Sequence, residues 1–149
     1  MDKLRGLTAV GWRASGRFID IGCGTGLITR RISRTCDLVI GLDISLNMIR
    51  RGRKNKKVEY VIGDALNPPF RSGSFSQGIC LTSFHHFPCK ELTLLRMAEI
   101  LVRGGGLVVS VRRNLDEEAS EAALVSCPSL KISGRLTVGK ETFFLLENV

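Results

Sequence analysis

Three carboxylates stand at or near the ends of three apolar runs: Asp20 within RFIDIG, Asp43 closing DLVIGLD and Asp64 closing VEYVIGD. A carboxylate is an acceptor-only group that pairs with ammonium, amine and hydroxyl donors. Around Asp20 runs DIGCGTG, with glycines at 22, 24 and 26 that let the backbone turn sharply and approach a ligand closely. The spacing is G-x-G-x-G. A dinucleotide loop needs a glycine where Leu27 stands, and no Walker lysine follows, so the pattern leans away from NAD and ATP. Asp43 can accept from both hydroxyls of a ribose; it can equally serve the start of the next helix at Ser45. Three acids at three successive strand ends, on the rim where open α/β sheets bind ligands, suggest a nucleoside that carries an amine.

The adjacent pair His85 and His86 is the other candidate for chemistry. An imidazole titrates in the range a general base needs; the alternative is that one or both pack beside Phe84 and Phe87. The five cysteines contain no Cys-x-x-Cys pair, and with only two histidines no zinc site is expected; the thiols are expected to be reduced.

Apolar runs alternate with amphipathic stretches, the pattern of βαβ units and a mostly parallel sheet. Strands are expected at RFIDIG, DLVIGLD, VEYVIGD, QGICLTS and LVVSV, with an antiparallel pair LKISGRLTV and ETFFLLE joined at Gly139-Lys140. Helices are expected over Thr25–Arg34 with Leu27, Ile28 and Ile32 on one face, from Ser45 as N-cap, over Glu91–Leu101 until Gly104-Gly105-Gly106 stops it, and over Asp116–Val125. The segment 1–17 is read as a short lead-in. The loop Ala65–Ser76 holds two prolines and three serines.

With 149 residues and 44% hydrophobic content, one domain with a real core is expected over 1–149. No apolar run reaches the ~18 residues of a spanning helix, and a soluble, cytoplasmic protein is expected. The net charge of +8 favours polyanionic partners. Six of the eight residues Arg50–Lys57 are basic. They either offset a helix dipole and continue as a solvated loop, or form a nucleic-acid patch.

Taken together, FIDIGCGTG, VIGLDIS, VIGDALNPPFRSGSFSQGI, FHHF and ILVRGGGLVVSV, in that order, resemble the motifs of class I S-adenosylmethionine-dependent methyltransferases of the type 11-like subgroup, over about Phe18–Val111. The resemblance implies a Rossmann-like α/β domain, a seven-stranded sheet of order 3-2-1-4-5-7-6 with the last strand antiparallel, and helices on both faces. It implies S-adenosylmethionine as methyl donor and S-adenosylhomocysteine as product. Gly22, Cys23, Gly24 and Gly26 would hold the methionyl part and Asp20 its ammonium. Asp43 would take the ribose hydroxyls, Ile44 would lie against the adenine, and Asp64 and Ala65 would meet the adenine amine. Leu81, Thr82 and Ser83 would close the donor pocket, with His85 or His86 beside the acceptor.

Asn67–Phe70 spells Asn-Pro-Pro-Phe, which in some amino-methyltransferases grips the target nitrogen after the fourth strand. Here only 23 residues separate Asp43 from Asn67, room for one helix and one strand, so the tetrapeptide follows the third strand. It is therefore expected to be a loop with Phe70 on the core. The short lead-in 1–17 suggests little material to enclose a small acceptor. That leaves a large substrate, a second subunit or an incomplete enzyme. The acceptor is expected to be RNA, with a quinone-type metabolite as the alternative. A third reading is a donor-binding subunit completed by an activator protein along the 58–64 edge strand. The oligomeric state is left open.

Overall fold

The computed structural model describes residues 3–52 and 54–149; Met1, Asp2 and Arg53, the last in the middle of the basic run, lie outside the described residues. In chain order the elements are α1 (Lys3–Ala9), β1 (Arg17–Ile21), α2 (Leu27–Ile32), β2 (Leu38–Asp43), α3 (Leu46–Arg51), β3 (Val58–Ile62), β4 (Phe75–Cys80), a 3-10 turn (Phe84–His86), α4 (Lys90–Ile100), β5 (Leu101–Arg112), α5 (Glu117–Ser126), β6 (Leu130–Val138) and β7 (Glu141–Asn148). The seven strands form one sheet of order β3-β2-β1-β4-β5-β7-β6. The first five are parallel, and β7 runs antiparallel to both β5 and β6. This is the Rossmann-like order expected, with β3 at one edge.

Successive residues of β1 point to opposite faces, and each face has its own core. Ile19 and Ile21 join Leu94 and Met97 of α4 and Ala123 and Leu124 of α5. Phe18 faces the other way, with Leu7 of α1, Ile32 of α2 and Phe143 of β7. That two-sided burial is why β1 and β2 carry apolar residues at consecutive positions rather than alternating ones, with Asp20 the buried exception in β1.

One element lay outside the sequence reading and two expectations need correction. First, the lead-in holds a helix, α1, whose Gly6 sits so close to the Phe143 ring that an added Cβ would lie 2.3 Å from Cζ. Its short KLRGLTA run carries too few apolar positions to show a helical period. Second, the glycine triplet does not stop α4. The helix ends at Ile100, the chain enters β5 at Leu101, and Gly104 at φ 77 lies in an irregularity: Leu101 pairs with Phe75 while Gly106 pairs with Gln77. Third, α2 is shorter than Thr25–Arg34, and Leu27 is more than half exposed rather than in the core. Its first turn faces a cavity instead of a partner element.

Candidate functional site

The carboxyl ends of β1, β2, β3 and β4 surround a trough of two lobes that share Gly22 and Ser83. Each lobe is built by the turn that follows a strand, because a parallel strand must reverse there into its helix.

After β1 the chain takes left-handed conformations at Gly22 (φ 73), Gly24 (φ 58) and Gly26 (φ 76). Two of these also need the missing side chain. A Cβ on Gly22 would lie 2.4 Å from Ser83 Oγ, and one on Gly26 would lie 2.3 Å from the Tyr60 hydroxyl. Asp43 holds the loop in place: its Oδ2 accepts from Gly24 N at 2.8 Å and its Oδ1 from Ser45 N at 2.8 Å. Ser45 in turn caps α3 by accepting from Met48 N. The cap of α3 is thus Ser45 and not Asp43, which holds the cap residue's N–H while lining the second lobe.

The glycine-loop lobe is bordered by Asp20, Cys23, Gly24, Leu81 and Thr82, with Lys3 reaching in from α1 and Arg31 from α2. Asp20 is buried, and its Oδ2 accepts from Thr29 Oγ1 at 2.6 Å. Burial raises its pKa from the ordinary carboxylate range to about 6, opposed by the Thr29 hydrogen bond and the Lys3 charge. A buried carboxyl of this kind is poised to ionise when a cation arrives. Cys23 is pushed far the other way from reactivity: burial, then the charges of Asp20 and Asp43, raise its thiol well above the usual value.

The second lobe, a cavity of about 430 Å3, is lined by Asp43, Ile44, Asp64 and Ala65 on one side and by His86, Phe87 and Pro88 on the other. Ile44 is 69% exposed, an isoleucine held out over open space. Asp64 turns its own loop, accepting from Leu66 N at 2.9 Å. The opposing wall is the 3-10 turn, pinned from below by Lys90. That ammonium is buried, donates to the carbonyls of Phe87 (3.0 Å) and His85 (3.4 Å), and pairs with Asp116 at the start of α5.

The structure separates the two histidines. Their ring centroids lie 4.0 Å apart with the planes tilted by 43°, but His86 borders the lobe while His85 does not. His85 Nδ1 is buried without a hydrogen-bond partner, and burial, then the His86 and Lys90 charges, lower its pKa. Gly26 also stands off the trough, as the N-cap of α2. The other sequence-predicted residues, from Asp20 to Ser83, all line one lobe or the other. Lys3, Leu66 and Pro88 were missed; Pro88 adjoins the FHHF signal, whereas Lys3 depends on a helix without one. Asn67–Phe70 borders neither lobe. Phe70 packs edge-on against Phe75, at 5.1 Å between ring centroids, so the tetrapeptide is a core-anchored loop.

Among the described residues no group of three His, Cys, Asp or Glu side chains gathers where a metal could be held, and no helix is long and apolar enough to cross a membrane.

A sequence model of the methyltransferase domain matches residues 18–105, more than half the chain. A demethylmenaquinone methyltransferase of Corynebacterium kroppenstedtii is 33% identical over 93 residues, 62% of this chain and 40% of that protein. A tRNA carboxymethyluridine methyltransferase of Xenopus tropicalis is 33% identical over 101 residues, 66% of this chain and 16% of that protein. The chain thus spans less than half the length of these curated relatives. Among solved structures, an S-adenosylmethionine-dependent methyltransferase of Mesorhizobium loti superposes with a TM-score of 0.83 at 15% identity, over 98% of this chain and 97% of its own. A Haloferax volcanii methyltransferase in complex with the Trm112 activator gives 0.81 at 15% identity, over 98% and 87%. The chain belongs to the methyltransferase-domain family and shares the Rossmann-like fold of these solved methyltransferases.

Proposed function

We propose that this methyltransferase holds S-adenosylmethionine across both lobes and passes its methyl group to RNA. The single observation that carries the donor's placement is the complementarity of the trough. A buried carboxyl near one end suits an ammonium, and a rim acid over the shared waist suits a ribose diol. An exposed isoleucine beside an acid and an Ala65 backbone suits a purine. In this reading Asp20 takes the ammonium, and the Gly22–Gly24 backbone and Cys23 wrap the methionyl chain. Asp43 accepts from the ribose, while Ile44, Asp64 and Ala65 receive the adenine. Leu81, Thr82 and Ser83 floor the transfer site.

The bound donor supplies an activated methyl on a sulfonium. What the chain adds is position: it excludes motion of the donor and leaves the attack direction open to an in-line nucleophile. A base is needed only if the acceptor must shed a proton. His86, on the lobe wall, is the better placed of the pair for that task; His85 supports its ring from behind.

RNA is favoured by where the cations lie. Lys3 and Arg31 border the glycine-loop lobe, and Arg112 ends β5, with Arg113 next to it, at the same rim as the site. Phosphates around a target nucleotide would meet them. Arg50 and Arg51, in the last turn of α3, line neither lobe. The test is transfer of labelled methyl from S-adenosylmethionine into extract fractionated into RNA, protein and small molecules. Label in nuclease-sensitive material is expected; label in the small-molecule fraction would replace RNA by a metabolite.

A second reading has its own observation. β3 is an edge strand with Ile62 53% exposed, and the Haloferax volcanii neighbour was solved with an activator. A partner strand on β3 would cover that edge and complete the wall beyond Asp64. Label appearing only when an activator is supplied would support it.

A further inference from the structure

Thr82 has φ 58, in the left-handed region, where a β-branched residue is a genuine outlier. It stands two residues past the end of β4 and lines the glycine-loop lobe. Such a conformation persists only where the surroundings over-determine it, and here the restraint comes from two strands away. Thr82 N donates to Ser110 Oγ at 2.9 Å; the Ser110 hydroxyl donates to Glu141 Oε1; and Thr82 Oγ1 donates to the same Glu141 oxygen at 3.2 Å. Ser110 is wholly buried in β5, and Glu141 is the first residue of β7. The kink matters one residue later. Ser83 Oγ donates to the Gly22 carbonyl at 3.1 Å, so the turn after β4 is hydrogen-bonded to the glycine loop. A continuous path thus runs from β7 through β5 and β4 to the loop after β1.

We propose that Glu141 is a positioning residue for the methyl donor: by accepting two hydrogen bonds it holds Thr82 in its left-handed turn and thereby sets Ser83 against Gly22. Glu141 does not touch the donor. What it supplies is an acceptor in a fixed place, so charge is not required and a glutamine oxygen serves as well. The inference rests on the donor reading given above. It also assigns a purpose to a residue that no motif marks, 31 positions beyond its Ser110 partner.

The test measures affinity for S-adenosylhomocysteine by titration calorimetry, after a thermal melt of each variant. Glu141→Ala is expected to weaken binding about tenfold and Glu141→Gln by less than twofold. Ser110→Ala, which removes the bridging hydroxyl, is expected to match Glu141→Ala and takes its place should that variant not fold. The decisive readout is coupling. Glycine occupies positive φ without strain, so in a Thr82→Gly background the loss caused by Glu141→Ala is expected to shrink below twofold. A merely structural role for Glu141 would carry its full loss into that background, and this result overturns the proposal. So does a Glu141→Gln variant as weak as Glu141→Ala. Wild-type protein that binds no S-adenosylhomocysteine would sink the donor reading and this inference with it. Wild-type binding without dependence on Glu141 would sink the inference alone.

Discussion

At the residue scale the trough is governed by what a few positions forbid. Gly22 combines a left-handed φ with a Cβ direction that ends on Ser83 Oγ. Gly22→Ala is therefore expected to push the loop off Ser83 and weaken S-adenosylhomocysteine binding by more than tenfold, read by calorimetry. Asp20 carries a pH signature. Its pKa is raised in the fold, so the folded chain binds this proton more tightly than the unfolded one. Its contribution is fully present below pH 4 and is lost as pH rises from about 4 to 6, a total change of about 3 kcal/mol against the fold. Asp20→Asn, which removes the charge, is expected to raise the melting temperature at pH 8 while losing the donor. The same proton controls binding in wild type. An ammonium needs the carboxylate, so affinity is expected to be flat above pH 7 and to fall by up to tenfold per unit below 6. Asp20, Asp43 and Asp64 were legible because acids at strand ends have few reasons to be there. The division between His85 and His86 was not, since two adjacent residues on a 3-10 turn leave in different directions that only the fold sets.

At the element scale, two attachments hold the walls. Lys90 fastens the 3-10 turn to α5 through two carbonyls and Asp116. Lys90→Met leaves those carbonyls unpaired but leaves Asp116 half in water. A loss of about 1–3 kcal/mol is expected, seen as a melting temperature lower by roughly 2–12 °C. The His86 wall loosens with it, so donor affinity drops, but by less than in Gly22→Ala. Gly6 lets α1 lie against the Phe143 ring. Gly6→Val is expected to lift α1 at a cost of about 1–3 kcal/mol and to take Lys3 out of the lobe, which limited proteolysis of the N-terminal segment would report. The elements themselves were readable wherever periodicity was strong: the alternation of apolar runs and helices placed every strand of the sheet. It missed α1, where seven residues with a central glycine give no period. It also took the triplet at Gly104–Gly106 as a helix stop, because glycines mark a chain irregularity without saying whether it ends a helix or bends a strand.

At the scale of the whole molecule, charge and topology have to be read together. A net charge of +8 names polyanions as a class of partner, and the fold then decides which cations count. Lys3 and Arg31 line the trough and Arg112 ends β5 at its rim, whereas Arg50 and Arg51 line neither lobe and Lys54 is engaged over the Tyr60 ring and with the Ile49 carbonyl. If RNA is the acceptor, Arg112→Ala combined with Arg113→Ala is expected to weaken RNA binding and to flatten its salt dependence by about two counterions, read as the slope of log affinity against log salt. Changing Arg50 and Arg51 together is expected to do less. All of this stands on the trough being a donor site, and the most direct measurement is calorimetric titration of the purified chain with S-adenosylhomocysteine, alongside Asp43→Asn. One site per chain is expected, weakened at least tenfold when Asp43 can no longer serve the ribose and the loop together. Absence of binding by the wild type, or binding that ignores Asp43, would contradict the placement of the donor in this trough.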